Sequence, residues 1–182
     1  MVDDRLLRIA REELGTDRLK ILVTGGTGFV GSRLAATLVA AGHAVTVCGR
    51  NRYRYPALLS GLTCVEADLT DANAIAALCQ NCDLVYHAGA RSSPWGSRAE
   101  FHAANVVGTQ NVVAGCLKHG VTRLIHVSST AIFFEHTDKV QITDHDALPA
   151  HFCCEYAESK AAAETVVQQG FAVNRLMQVT RP

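Results

Sequence analysis

The 182-residue chain has no excess of either charge: seventeen Lys and Arg balance seventeen Asp and Glu, for a formal net charge of zero. The cations are scattered rather than gathered into a stripe, so neither nucleic acid nor an acidic membrane surface is an expected partner. Apolar runs are short. None approaches the roughly 20 residues needed to cross a bilayer, and the opening Met1-Val-Asp-Asp-Arg5 lacks the basic-then-apolar layout of a secretory leader. Cytoplasm is the compartment this implies. Seven cysteines, an odd number at no framework spacing, argue against a disulfide-stapled secreted domain. Cys79 and Cys82 stand three apart without a second pair to complete a zinc site, and the vicinal Cys153-Cys154 near His151 is equally incomplete. Packed, reduced thiols and no metal are the expectation. Repeats, low-complexity tracts and an evident interdomain linker are all missing.

What is present is an alternation of two periodicities. Apolar, β-branched strand patterns lie near residues 19–24, 44–48, 62–66, 83–88, 122–128 and 173–180. Helical patterns fall between them, near 29–41, 71–79, 98–118 and 155–169, with a weaker one at 55–60. Strands buried on both faces and joined by helices form a parallel sheet. Right-handed crossovers make it a doubly wound, Rossmann-like α/β fold of three layers, with ligands at the carboxyl ends of the strands. The expected division is an N-terminal helical extension over 1–18, with an amphipathic helix at 3–14, and one nucleotide-binding domain over 19–182. The irregular, His-rich stretch 131–154, with Pro149, reads as a loop bordering the site.

The run Lys20-Ile-Leu-Val-Thr-Gly-Gly-Thr-Gly-Phe-Val-Gly31 carries the first chemical signal. A strand leads into glycines 25, 28 and 31, and a helix follows. Glycines let backbone approach a diphosphate, while a helix N-terminus offers free N–H groups and a positive dipole end. The second strand then closes on Gly49-Arg50, where dinucleotide sites that grip ribose hydroxyls carry an acid. A guanidinium binds a 2′-phosphate that a carboxylate would repel. NADP(H) is therefore preferred, with NAD(H) as the alternative. Asp68, after the third strand, is assigned to the adenine amino group, and Asp71 or Thr70 to a helix cap. Ala88, Gly89 and Ala90 close the fourth strand with side chains small enough for a ligand to pass. His87 and His126 read as packed histidines of the strand ends. Trp95 is read either as a lining of the substrate entrance or as an anchor of its loop, and Arg91 as a plain loop cation, with contact to a cofactor phosphate or an acidic substrate as the alternative.

The second signal is Ser128-Ser129-Thr130 at the end of the fifth strand, followed by Tyr156 and Lys160 at i and i+4 on one helix face. A lysine ammonium beside a phenol favours the phenolate, which makes such a tyrosine a general acid or base.

With these residues assembled, the chain resembles the short-chain dehydrogenase/reductase superfamily, in its extended branch of NAD(P)-dependent epimerases, dehydratases and reductases. The resemblance covers roughly residues 19–182. It rests on Thr24 to Gly31, Asp68-Leu69, His87 to Ala90, Asn105 to Thr109, Val127 to Thr130, Tyr156 with Lys160, and Arg181-Pro182. It implies that Thr130, with Ser129 as the neighbouring option, is the catalytic hydroxyl and that Tyr156 is the acid/base. Lys160 would lower the Tyr156 pKa and hold the nicotinamide ribose. The implied cofactor set is Gly25, Thr27, Gly28, Phe29, Val30, Gly31, Arg50, Asp68, Leu69, Ala88, Gly89, Ala90, Asn105 and Lys160. Asn105 is either the branch's supporting helix asparagine or an ordinary helix-face residue. The substrate would be a small carbonyl or hydroxyl compound, and a homodimer is admitted. The alternative is a non-catalytic NAD(P)-binding sensor or assembly module. Two departures stand out. Phe133-Phe134-Glu135 replaces the branch's Val-Tyr-Gly, and Gly89 stands where alanine is common. The branch also continues beyond Arg181-Pro182 into a substrate-binding region, so the expectation is the cofactor-binding portion with the substrate portion missing.

Overall fold

The computed structural model describes residues 17–51, 62–135, 139, 141–143, 145–173 and 177–180. The expected helices over 3–14 and 55–60, and the closing Arg181-Pro182, lie outside the described residues. Six strands form one parallel sheet: β1 (Lys20–Thr24), β2 (Ala44–Gly49), β3 (Thr63–Glu66), β4 (Leu84–His87), β5 (Arg123–Val127) and β6 (Met177–Thr180). Their spatial order, β3-β2-β1-β4-β5-β6, reverses direction between β1 and β4. That reversal creates a crevice at the carboxyl ends of these two strands.

The side-chain alternation of β1 explains the three layers. Leu22 faces one way, into a cluster with Val85, Leu124, Ile75, Cys79, Val112 and Cys116. Ile21 and Val23 face the other way, against Ala35, Leu38, Val45 and Val47. The first cluster lies beneath α2 (Ala72–Cys79) and α4 (Gly108–His119); the second lies beneath α1 (Phe29–Ala40). Both faces are thus covered, which is why the strands read as apolar runs rather than as an in-out alternation.

Local signals end the helices where the sheet needs them to end. Asp71 caps α2, its carboxylate accepting from the backbone N–H of Asn73 and Ala74. Thr70 takes no part in that cap; its N–H and hydroxyl both donate to Asp68. Ser97 and Glu100 form a capping box on the short α3 (Arg98–Phe101). Gly120, in the left-handed region at φ 65°, ends α4. The helical pattern expected over 98–118 is interrupted. A π-helical segment spans His102–Val107 between α3 and α4, where Thr109 Oγ1 donates to Asn105 O. The last helix, α5 (Glu155–Val173), runs four residues further than its sequence pattern, so β6 begins correspondingly later than expected.

Candidate functional site

The turn after β1 is built for close approach. Gly25 adopts φ +66°, and a Cβ on it would stand 2.5 Å from the Gly89 Cα. A Cβ on Gly31 would meet the Gly25 carbonyl oxygen at 2.4 Å. A side chain at Gly25 would push the β1 and β4 ends apart, and one at Gly31 would push α1 off the turn. The cap residue Gly28 has no side-chain hydrogen bond, and no acidic residue occupies the first turn of α1. The N–H groups there keep their capacity for an anion.

A cleft of about 340 Å³ opens at this point. It gathers Gly25, Thr27, Gly28, Phe29, Val30 and Gly31 from the turn, Arg50 from the β2 end, Asp68 and Leu69 from the β3 end, and Ala88, Gly89 and Ala90 from the β4 end. Twelve of the fourteen residues expected to contact a cofactor therefore line one cleft. Asn105 and Lys160 do not line it, and both are buried. Arg91 and Ser92 line it as well. The Arg91 guanidinium reaches Glu100, the Trp95 carbonyl and the face of Phe101.

Gly49 has a reason beyond the missing acid. A Cβ there would lie 2.2 Å from Thr27 Oγ1, so the buried Thr27 side chain fills the space that a residue 49 side chain would need. The β2 end consequently presents Arg50 to the cleft and no carboxylate. Asp68 is held below its usual pKa, first by the Thr70 N–H and hydroxyl and then by the Arg50 charge. Its Oδ1 already accepts both Thr70 groups.

Beneath the cleft lies a buried polar chain whose directions can be read. The Gly89 N–H donates to Thr24 Oγ1, which stands 2.6 Å from His87 Nδ1. His87 Nε2 lies 2.9 Å from Thr109 Oγ1, and that hydroxyl donates to Asn105 O. With its proton committed, Thr109 accepts from His87 Nε2–H, so His87 Nδ1 accepts from Thr24. The imidazole is neutral: burial, and then the Lys160 charge, take its pKa down to about 3. The Asn105 side chain continues the path. It accepts from the Arg91 N–H and donates to Arg91 O and to Ser159 Oγ, whose hydroxyl donates to Tyr156 O. Asn105 is thus a buried junction rather than an ordinary helix-face polar residue. In the sequence it is marked by the resemblance, and by an amide on the otherwise small, apolar run Ala103 to Gly108.

A second cavity, of about 790 Å³, adjoins the first at Ser92. Tyr156 lines it with Phe101, Arg98, His151, Phe152, Cys153 and Cys154. Tyr156 packs edge-on to Phe101, with ring centroids 6.3 Å apart. The expected border loop does border this site through residues 150–154. Thr130, exposed, and Ser129, half-buried, begin a 3-10 turn over Thr130–Phe133, with Ser129 Oγ accepting from the Ala131 N–H. Phe133 is buried with Ile132 and Ala161, while Phe134 is exposed. Trp95 is 81% exposed, which removes the reading that it anchors its loop by packing.

Lys160 is only 2% exposed. Its Nζ donates to Val127 O at 2.7 Å and lies 3.2 Å from His126 Nε2; among the described residues it makes no hydrogen bond to Tyr156. Burial takes its pKa down to about 8, with Glu164 opposing. His126 is not the satisfied histidine its strand position suggests, since its Nδ1 has no partner among the described residues.

Cys48, Cys79 and Cys116 are buried, whereas Cys154 is exposed, its Sγ 3.8 Å from that of Cys153. No group of three or more metal-ligating side chains occurs among the described residues, and none of the described helices is long and apolar enough to cross a membrane.

Comparison with known proteins agrees with this geometry. A 2-alkyl-3-oxoalkanoate reductase of Stenotrophomonas maltophilia is 40% identical over 149 residues, which is 80% of this chain and 44% of that protein. A 3 beta-hydroxysteroid dehydrogenase/Delta 5-->4-isomerase of Mycobacterium tuberculosis is 31% identical over 89% of this chain and 45% of its own. Among solved structures, DesIV, a dTDP-glucose 4,6-dehydratase of Streptomyces venezuelae with NAD and TYD bound, superposes with a TM-score of 0.79 at 27% identity. The match covers 90% of this chain and 55% of that one. The chain spans about half the length of the relatives it matches. The family model described as NAD dependent epimerase/dehydratase matches residues 21–175. A glycine turn closed against β4, a doubly wound sheet and this matched span lead to one assignment: the chain belongs to the NAD dependent epimerase/dehydratase family.

Proposed function

We propose that the chain forms the NADP(H)-binding half of an oxidoreductase or epimerase/dehydratase that moves hydride to or from a carbonyl or hydroxyl carbon. The observation that carries this reading is the cleft itself, where the uncapped first turn of α1, the Gly25–Gly89 contact and Arg50 meet. The cradle fits a dinucleotide because its turn packs too tightly for a Cβ at Gly25 or Gly31 and leaves the first N–H groups of α1 without a side-chain cap or an acid. The cofactor supplies hydride acceptance or donation when bound; the protein supplies orientation and a proton.

The α1 N–H groups and the turn would take the diphosphate. Arg50, unopposed by an acid at position 49, would take a 2′-phosphate, which supports NADP(H) over NAD(H). Asp68 Oδ2 is not engaged by Thr70 and would accept from the adenine amino group. Tyr156 lines the cavity next to the cleft and is assigned proton transfer to the reacting oxygen, with the Thr130 hydroxyl, or that of Ser129, as its partner on that oxygen. Lys160 spends two of its three N–H donors on Val127 and His126, and would offer the third to the nicotinamide ribose. The Stenotrophomonas maltophilia relative, named as a 2-alkyl-3-oxoalkanoate reductase, supports a carbonyl as the reacting group.

The test is oxidation of NADPH by the chain against a panel of ketones, aldehydes and nucleotide sugars. Turnover that falls by about 10²-fold or more in Tyr156→Phe, with cofactor affinity intact, supports the assignment. Tight binding without turnover on any substrate would favour a sensor or assembly module instead.

A further inference from the structure

A buried imidazole in the middle of a sheet needs a reason, because an unpaired polar atom there costs free energy that valine or leucine would not. His126 is fully buried on β5, beside His87 in the sheet register, with ring centroids 5.0 Å apart. Among the described residues its Nδ1 has no partner and its one hydrogen-bonded contact is Lys160 Nζ, at 3.2 Å from Nε2. We propose that His126 is a positioning residue for Lys160: Nε2 accepts from the ammonium and, together with Val127 O, fixes it at the carboxyl end of β5. This rests on the reading of Lys160 as a cofactor and Tyr156 partner.

The surroundings define the proton arrangement. Lys160 donates to Val127 O and to Nε2, so the imidazole proton sits on Nδ1. The titratable groups facing Lys160 are His126, His87 behind it on β4, and Glu164 one turn further along α5; Tyr156 lies one turn before. His87 is held neutral by its bonds to Thr24 and Thr109. His126 is pushed well below the usual histidine range by burial and then by the Lys160 charge. A neutral acceptor is therefore what the lysine meets. With two donors held, the ammonium has one remaining N–H and one direction.

The variants that separate this role from simple packing are His126→Gln, His126→Asn and His126→Leu. A glutamine places its oxygen near the Nε2 position, an asparagine places it near Nδ1, and leucine fills the space with no acceptor. Two readouts apply to each variant: the titration midpoint of Lys160, followed by NMR on chain labelled with [13Cε]lysine and assigned with Lys160→Arg, and the NADP⁺ dissociation constant by calorimetry at pH 6 and pH 8. Without the acceptor the ammonium loses a hydrogen bond, so the midpoint in the Leu and Asn variants falls by roughly one pH unit. In the Gln variant it stays close to that of the unaltered chain. NADP⁺ binding weakens about tenfold in Leu and Asn at pH 8, weakens less at pH 6 where the lysine is charged in every variant, and is retained in Gln.

Equal behaviour of Gln and Leu, or an unmoved Lys160 midpoint in all three, overturns the proposal. Should the Leu variant fail to fold, the Gln-to-Asn comparison decides on its own. A Lys160 midpoint that shifts as expected in a chain that gives no heat with NADP⁺ leaves the His126–Lys160 link standing and removes the cofactor reading instead.

Discussion

At the scale of single residues, the sharpest demand in the cleft is the one Thr27 places on position 49. Its hydroxyl sits 2.2 Å from where a Cβ would be, so Gly49→Ala forces either the turn or β2 to move. Overpacking of this kind costs about 1–3 kcal/mol. Chemical denaturation of Gly49→Ala is expected to show a loss in that range, largely restored in Thr27→Gly with Gly49→Ala. An additive pair of losses would mean that the two residues do not share the space. Arg50 makes a separate prediction. Arg50→Ala is expected to raise the NADP⁺ dissociation constant by about tenfold or more, from loss of a charge-assisted bond, and to leave NAD⁺ nearly unchanged. Equal weakening of both would place Arg50 away from a 2′-phosphate. The thiols divide by exposure. Cys154 is expected to react with an alkylating reagent on folded chain, while buried Cys48, its thiol pushed up to about 12 by burial, does not until the chain unfolds.

At the scale of elements, cap chemistry fixes where helices begin. Removing the Asp71 carboxylate leaves the Asn73 and Ala74 N–H groups without their acceptor. Asp71→Ala is expected to cost about 1 kcal/mol by denaturant titration, with cofactor affinity unchanged. The parallel sheet was legible in the sequence because strands covered on both faces read as unbroken apolar runs, as Ile21-Leu-Val23 does. The glycine turn was legible because Gly25 and Gly31 answer to a contact that tolerates no side chain. The π-helical segment over His102–Val107 was not. Gly108, which follows it, packs where a Cβ would meet the Leu69 Cβ at 2.8 Å, a long-range contact that no local propensity encodes. Thr109 adds a local bond, its hydroxyl donating one turn back to Asn105 O. The direction of the Lys160 side chain was equally hidden, because the i,i+4 spacing puts it on the helix face of Tyr156 but does not reveal that β5 supplies two acceptors beneath it.

At the scale of the whole molecule, one buried polar path ties the carboxyl ends of β1 and β4 to the helix that carries Tyr156. It runs through Thr24, His87, Thr109, Asn105 and Ser159. A fully satisfied path of this kind fixes the spacing of the elements it joins, and its cost appears when it must take up protons. The folded pKa values of His87 and His126 are depressed below their unfolded value near 6.5. Below that value the unfolded chain binds protons that the folded chain refuses, so stability falls as pH falls. For each of the two histidines the slope approaches about 1.4 kcal/mol per pH unit from pH 6 down toward the folded values. Denaturant midpoints at pH 7.5, 6 and 5 check this; a flat profile would show that the imidazoles become charged without unfolding.

The most direct single measurement is a calorimetric titration of the folded chain with NADP⁺ and, separately, with NAD⁺. The expected result is saturable heat at one site for both, with tighter binding of the phosphorylated form. Absence of heat with either dinucleotide on folded protein would contradict the claim that the turn between β1 and α1 cradles a diphosphate.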